Sequence, residues 1–452
     1  MMGQLPAAQN SLFYDFCLER HIPEDHLLRR IDQFLDFDQI RQHLQPFYST
    51  TGRPSIDPEL MIRMLLVGYN YGIRSERQLC DEVNFNLAYR WFCRLGLEDD
   101  VPDHSTFSKN RHGRYRDSDL FRRVFETVVQ RCMEQGLVKG ESFAIDASYV
   151  RADVARKRTE DSPVNWAPAK VTSRAVTEYL ATLDAEPALR RPQVKVSLTD
   201  PMAQWSSAKG LAEFYYSTNY LVDIEHGVIM DVEASPSTHA LEVATTRTMI
   251  DRVETNYNIL PTRLLADTAY GAAENLGYVV DEKRIEPHIP VWEKSQRNDG
   301  TYSRSDFTWS DTDNAYHCPQ GKALRATGYV TPVKTMLYRS RNPECAACPD
   351  KSKCCPNTPN RKIARNVNEK ARDVARAITR SEIYTRKTFY QRKTVEMAFA
   401  HMKRHLKLDR LRLRGLSGAK DEFLLVATAQ NLRKLARLCS IPPPNHGIPA
   451  PA

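Results

Sequence analysis

Three carboxylates in this 452-residue chain have neighbours suited to phosphate chemistry. Asp146 and Asp267 each end a short apolar stretch that reads as a buried strand, and each is followed by small residues, Ala147-Ser148 and Thr268-Ala269. A carboxylate closing an apolar strand is costly to bury unless it pairs or binds a cation. Open sheets also place ligands beyond the carboxyl ends of their strands. Taken singly, each Asp also reads as a turn opener or a helix cap. Glu396 is the third. It lies in a segment, Ser381 to Leu406, whose Val395, Phe399, Met402 and Leu406 share one apolar helical stripe. Arg392, Glu396 and Lys403 form a second stripe at its border. The plain alternative is a surface pair of Arg392 with Glu396, worth about 0.2–0.5 kcal/mol. Mg²⁺ needs only a few carboxylates because it keeps several waters. Two such ions held by acids of this kind stabilise both the attacking and the leaving oxygen of a phosphodiester.

Cysteines form a second group. Of ten, five fall between Cys318 and Cys355. Cys318, Cys345, Cys348 and Cys354 are spaced C-x26-C-x2-C-x5-C, with Cys355 and His317 as spare ligands. One CxxC with flanking Cys fits a zinc-ribbon-like site of four thiolates, which would hold a fold and perform no chemistry. A loose loop of reduced thiols is the alternative. His401 and His405 stand four apart, but without an HExxH they read as part of an exposed basic helix. Asp223 and Glu225 read as turn residues, and Trp205, Tyr215 and Tyr216 as core.

The elements around these groups divide by style. The first 135 residues read as helical, with Asp57-Pro58 opening one helix, Ser75 and Gln78 forming a capping box, and a third helix stopping at Gly96. A helical region then runs from Asp103 to Gly136. The middle alternates: strands at Ser142–Ser148, Tyr215–Val222 and Val228–Glu233, a helix over Thr238–Thr255, a strand at Arg263–Asp267, a helix through Asn275 and Asp281, and a strand at Glu286–Val291. This is the element order of an RNase H-like core. Residues 152–200, with five prolines near or within them, read as loop-rich, and the tail from Ile441 as disordered. The fold class expected is α/β: an RNase H-like mixed sheet flanked by helices, an N-terminal all-helical domain and a small Cys-rich insertion. The divisions are 1–135 helical and DNA-binding, 136–292 the first part of the core, 293–360 the Cys-rich insertion, 361–440 the second part and 441–452 the tail.

Charge supports a polyanion partner. The chain is net +8, yet residues 361–437 alone hold 21 Lys+Arg against 7 Asp+Glu. That segment is therefore +14 and the remainder −6, the footprint of a polyanion partner; a solvated basic helix surface is the equal alternative on this feature alone. No 18-residue apolar run is present and no secretory signal is visible, so a soluble cytoplasmic protein, associated with the nucleoid through DNA and not with membranes, is expected.

The sequence resembles bacterial insertion-sequence transposases of the DDE type. The resemblance rests on Ile145 to Ser148, Ala266 to Gly271 and Arg392 to Glu396 with Lys403, and further on Gly52 to Ser55, Asp103 to Phe107, Leu413 to Gly415 and Ala429 to Leu432. The family's last motif runs Tyr, two residues, Arg, three, Glu, six, Lys; here Phe389 stands at the Tyr position, with Tyr390 beside it. The resemblance implies that Asp146, Asp267 and Glu396 bind Mg²⁺ or Mn²⁺ and catalyse hydrolysis and strand transfer. It implies that Arg392 and Lys403, with Arg404 and Lys407 nearby, contact DNA. It also implies double-stranded DNA partners, namely terminal inverted repeats and a target, and a homo-oligomer in the synaptic complex. The alternatives are a non-catalytic DNA-binding protein on the same scaffold and a nuclease that cleaves without joining.

Overall fold

The computed structural model describes residues 16–439 apart from 50, 53–54, 167–169, 172, 186–193, 208–209, 211, 294–296, 298, 333 and 383; the tail from residue 441 lies outside the described residues. The N-terminal part is helical as its caps dictate. Asp57 accepts from the Glu59 N–H and opens helix α1 (Pro58–Tyr71), which Gly72 closes in the left-handed region at φ 68°. Ser75 accepts from the Gln78 N–H at the start of α2 (Glu76–Phe85), and Asn86 caps α3 (Leu87–Phe92). The helical region beyond Asp103 is interrupted, giving α4 (Ser105–His112), one turn at Arg114–Asp117 and α5 (Leu120–Glu134). Asp119, at φ 49°, turns the chain between the last two.

The central sheet uses β1 (Ser142–Arg151), β2 (Glu213–Asp223), β3 (Val228–Pro236), β4 (Arg263–Leu265) and β5 (Glu286–His288). They lie in the order β3-β2-β1-β4-β5, with a short strand Gln204–Ser206 paired to the start of β2. β2 is antiparallel to both of its neighbours, β1 and β3, while β1 with β4 and β4 with β5 are parallel. β2 is buried along nearly its whole length, as a central strand covered on both faces must be. Helices α6 (His239–Tyr257), α7 (Ala273–Gly277, continued by a π-helical turn Tyr278–Glu282), α8 (Glu369–Thr379), α9 (Phe389–Arg404) and α10 (Gly415–Leu438) complete this part. The chain is thus mixed α/β. α10 packs against α5, α1 and β3, so the N-terminal helices and the sheet share one hydrophobic core.

The stretch 152–200 departs from its loop-rich reading. It contains a helix, Arg174–Ala185, and two paired strands, Thr159–Asp161 and Lys195–Ser197. Prolines mask these elements in sequence because they lie between them. The helix expected from Ser381 is also shorter. Tyr384–Thr388 forms a π-helical turn before α9 begins.

A second sheet lies apart, with its own core. Strands β6 (Thr308–Ser310), β7 (Ala315–His317), β8 (Ala323–Val330), β9 (Thr335–Arg339) and β10 (Lys362–Asn366) follow one another as an antiparallel meander. Phe307, Tyr316, Leu324, Tyr338 and Ile363 pack there with Cys345, Cys354 and Cys355.

Glu369, at the start of α8, joins this sheet region to the helices. It is 1% exposed and accepts from Arg304 at 2.7 Å, Arg376 at 2.8 Å and Arg372 at 3.1 Å. Burial alone would raise its pKa, but the Arg304 hydrogen bond and the guanidinium charges override it and hold the carboxyl at about 2. A carboxyl with a depressed folded pKa stabilises above its unfolded pKa and loses that contribution as pH falls through the folded value. The shift corresponds to about 3 kcal/mol. Glu369→Gln should therefore cost about that at pH 7 in urea unfolding, and the gap from wild type should close between about pH 5 and pH 2. A gap that stays constant with pH contradicts this role.

Candidate acidic site on the sheet

β4 lies beside the beginning of β1, because the two strands pair in parallel over Ser142–Ala144 and Arg263–Leu265. Asp146 lies two residues past that paired stretch on β1, and Asp267 two residues past the end of β4. β1 itself does not end at Asp146, as the sequence suggested. It runs on to Arg151, with Asp146 opposite Tyr220 on β2. The carboxylate therefore stands where β4 has stopped and β1 has not. That leaves a gap at the sheet's switch from antiparallel to parallel pairing.

Each aspartate commits one oxygen locally. Asp146 Oδ1 accepts from the Ala147 N–H at 2.8 Å, and Asp267 Oδ1 accepts from the Ala269 N–H at 2.8 Å. The second motif's Gly271 is required by close approach, since a Cβ there would lie 2.0 Å from the Pro290 carbonyl oxygen.

α9 packs on β1 and β2 and brings the third acid. Val395, Phe399, Met402 and Leu406 are buried, as their stripe predicted. Glu396 is half exposed, with Arg392 Nη2 at 3.9 Å. Burial pushes the Asp146 carboxyl up to about 6; the negative charges of Asp267 and Glu396 add to this, while the Ala147 N–H and the Arg392 charge oppose it. Asp146, Asp267, Glu396 and Arg392 therefore share one electrostatic neighbourhood. Its excess of negative charge and its oxygen donors fit a hard divalent cation. Among the described residues no three acidic, His or Cys side chains are gathered tightly enough to hold a metal as they stand. The three carboxylates repel one another, and Glu396 faces Arg392 and solvent.

The flanking basic residues differ from one another. Lys403 donates from Nζ to the Tyr149 carbonyl at 2.7 Å, so it ties α9 to β1. Arg404 is exposed. Lys407, at φ 53°, lies against Gly72 at the end of α1, its Cδ 3.1 Å from where a Cβ would stand. Phe389 and Tyr390 are both exposed at the start of α9, 51% and 63%.

Two further residues belong to this neighbourhood: Glu242, which carries no signal in sequence, and Tyr270, which lies in the Ala266–Gly271 stretch but to which the sequence assigns no role. Glu242, in the first turn of α6, is half-buried and accepts from Ser217 Oγ at 2.5 Å. Burial raises its pKa, and Asp267 adds to the rise. Tyr270 is 2% exposed, its hydroxyl has no hydrogen-bond partner among the described residues, and Asp146, Glu242 and Asp267 are its charged neighbours. The one available clue to Glu242 was its place in the first turn of a helix that follows a strand. Leaving a buried hydroxyl unmet costs about 1–3 kcal/mol. Tyr270→Phe should accordingly keep or raise stability in urea unfolding. A loss above about 1 kcal/mol would show that the hydroxyl is already satisfied.

The other candidates resolve as packing or turns. Asp223 is 1% exposed and accepts from the Lys139, Gly140 and Glu225 N–H groups, closing the turn before β3. Tyr216 is buried and donates to Asp200, and Trp205 packs edge-on against Phe214. Of the Cys set, Cys345 and Cys354 lie together in the small core, with Cys355 among them. Burial pushes the Cys354 thiol up to about 12, with Cys355 and Cys345 adding to it. Cys318 Sγ accepts from the Lys322 N–H at 3.3 Å at the edge of the same cluster, Cys348 is half-buried, and His317 is turned to Asp313 at 3.0 Å.

Comparison with known families adds two matches. Residues 16–113 match a transposase domain (DUF772), and residues 317–436 match a transposase DDE domain. No curated protein and no solved structure matches the chain. The first match covers α1 to α4, and the second runs from the end of β7 through Glu396 to near the end of α10.

Proposed function

The chain is an insertion-sequence transposase of the DDE type, and we propose that it binds the ends of its element and, with divalent metal, cleaves DNA strands and transfers the freed ends. The observation that carries this is that Asp146, in the gap where β4 has stopped beside β1, feels the charges of Asp267, Arg392 and Glu396. The strand order β3-β2-β1-β4-β5, antiparallel then parallel, supports an RNase H-like core. In this reading residues 1–135 recognise the terminal inverted repeats, 136–292 and 361–440 form the core, and a homo-oligomer pairs the two ends. The Cys-bearing sheet then has a structural role, with zinc on Cys318, Cys345, Cys348 and Cys354 and Cys355 available beside them; the thiol chemistry and the nearness of Cys345 to Cys354 support it.

Asp146 and Asp267 offer carboxylate oxygens from fixed backbone, and Glu396 would have to turn from Arg392 toward them to join a shared ion. Bound Mg²⁺ or Mn²⁺ would supply an activated water or 3′-hydroxyl and stabilise the leaving oxygen. Arg392 places a guanidinium beside the carboxylates, where a scissile phosphate's charge needs one. Lys403 positions α9 through the Tyr149 carbonyl, and Arg404 and Lys407 extend the basic face along the DNA. Glu242 and Tyr270 share the electrostatic surroundings of the two aspartates without a hydrogen bond to either being present.

The test is incubation of the protein with a supercoiled plasmid carrying the element's ends and Mg²⁺. Cleavage followed by joining of the ends supports the transposase reading. Cleavage without joining would make the chain a nuclease. Binding without either would make it a non-catalytic DNA-binding protein.

A further inference from the structure

A cavity of about 620 Å³ opens on the flank of α9 away from Glu396, between α10, the β2–β3 turn and the N-terminal helices. Met397 and His401 line it from α9. They stand roughly 100° and 140° around the helix from Glu396, so the cavity and the carboxylates are separated by about one helix diameter, ~10 Å. Cations dominate its polar lining: Arg30 from the first matched domain, and Arg433, Lys434 and Arg437 from α10. Among the described residues no acidic side chain forms an ion pair with any of these four. Arg433 spends one donor on the Asn70 carbonyl at 3.0 Å, and the Lys434 ammonium lies against Gly227. Two acids, Asp25 and Glu225, line the cavity at exposed positions.

The crowding has an energetic signature. Burial, then Arg437, lowers the Lys434 pKa. Burial, then Arg433, His405, Lys434 and Arg437, pushes His401 down to about 4. Arg433 and Lys434 are half-buried while Arg30 and Arg437 are exposed, and like charges crowded around a half-buried ammonium cost stability unless an anion offsets them. Chain segments outside α10 build the cavity's walls, so the cluster is more than one solvated helix face.

We propose that this cleft is a backbone-phosphate clamp for duplex DNA, gripping a strand on the opposite flank of the Glu396 helix from the acidic residues. The inference takes DNA as the polyanion from the proposed function. Backbone phosphates match its chemistry: a clustered positive charge, an open mouth and no dedicated pairing acid. A duplex lying along α9 would meet the carboxylates on one flank and this clamp on the other.

The experiment is anisotropy of a labelled 30-bp duplex of arbitrary sequence against salt, in EDTA, so that no cleavage is involved. The triple variant Arg30→Ala, Lys434→Met, Arg437→Ala should flatten the slope of log K against log salt by about 2–3, at about 0.9 per phosphate contact. A control removing three cations elsewhere, Lys322→Ala, Arg325→Ala, Arg339→Ala, should change it by less than 1. Lys434→Met alone should hold or raise the melting temperature, since it removes a crowded charge and keeps the stem. An unchanged slope in the triple variant overturns the clamp. So does an equal change in the control, which would mark a general net-charge effect. Competition with ATP forms a separate arm. If ATP raises the wild-type melting temperature, the triple variant abolishes that rise and the duplex slope is unchanged, the cleft is a small-anion site and the proposal fails. A protein that neither cleaves nor joins DNA yet shows the flattened slope would sink the proposed function and leave the clamp standing.

Discussion

Asp146→Asn and Asp267→Ala should each lower Mg²⁺-dependent strand cleavage by on the order of 10³-fold, equal to about 4 kcal/mol of transition-state stabilisation. The size follows from what is lost. Each substitution removes a negative oxygen donor from a group of three, and the two that remain hold a hard cation more weakly and in a less exact position. Stability should move the other way at Asp146. Its folded pKa of about 6 lies above the ordinary carboxyl value, raised first by burial. A carboxyl with a raised folded pKa contributes stability at low pH and loses it as pH rises through the folded value, so the ionised group is a burden near pH 7.5. Asp146→Asn should thus be inactive and no less stable than wild type there. Nicking rates with saturating Mg²⁺, paired with urea unfolding of the same preparations, check both halves. Wild-type nicking by either variant contradicts the assignment, and joint loss of activity and stability would reduce the aspartates to fold determinants.

Arg122→Ala should cost about 3–5 kcal/mol in urea unfolding, the largest single stability effect expected in the chain. Arg122 on α5 is buried and donates to Asp231 on β3 and to the Val232 carbonyl, while Asp231 is 1% exposed. Arg252 reaches the other oxygen of Asp231 at 2.8 Å and Glu233 at 2.6 Å. Removing Arg122 leaves an ionised carboxylate in the core with one cation and opens a void beside Phe125, over which the guanidinium lies. Burial already raises the Asp231 pKa against the pull of Arg122 and then Arg252. Arg252→Ala should cost less, because Arg252 is a quarter exposed and water can replace it. An Arg122→Ala loss below about 1 kcal/mol would mean that the two arginines are interchangeable.

Much of the candidate site was legible because its signals are local. An apolar run ending in Asp, a capped helix and a four-residue stripe each need only neighbouring residues, and Asp146, Asp267, α1 to α3 and the buried face of α9 were all read from such patterns. What depends on strand pairing was not legible. β1 continues past Asp146 because β2 supplies partners as far as Tyr215, beyond where β4 stops. Glu242 joins the aspartates only through the packing of α6 on β2 and β3, and the Tyr270 hydroxyl gains meaning only from its lack of a partner. The Arg174–Ala185 helix was hidden by prolines on both sides. The segment that carries the charge excess includes α8 to α10, and its members do different work. Arg372 and Arg376 hold Glu369, Lys403 ties α9 to β1, and Lys434 and Arg437 crowd one cavity.

The central claim is that Asp146, Asp267 and Glu396 together hold a divalent cation, and calorimetric titration of the protein with Mn²⁺ in the absence of DNA reads it most directly. Wild type should bind one or two ions, and Asp267→Ala should lose that binding while keeping its unfolding transition. Equal Mn²⁺ binding by wild type and Asp267→Ala would contradict it.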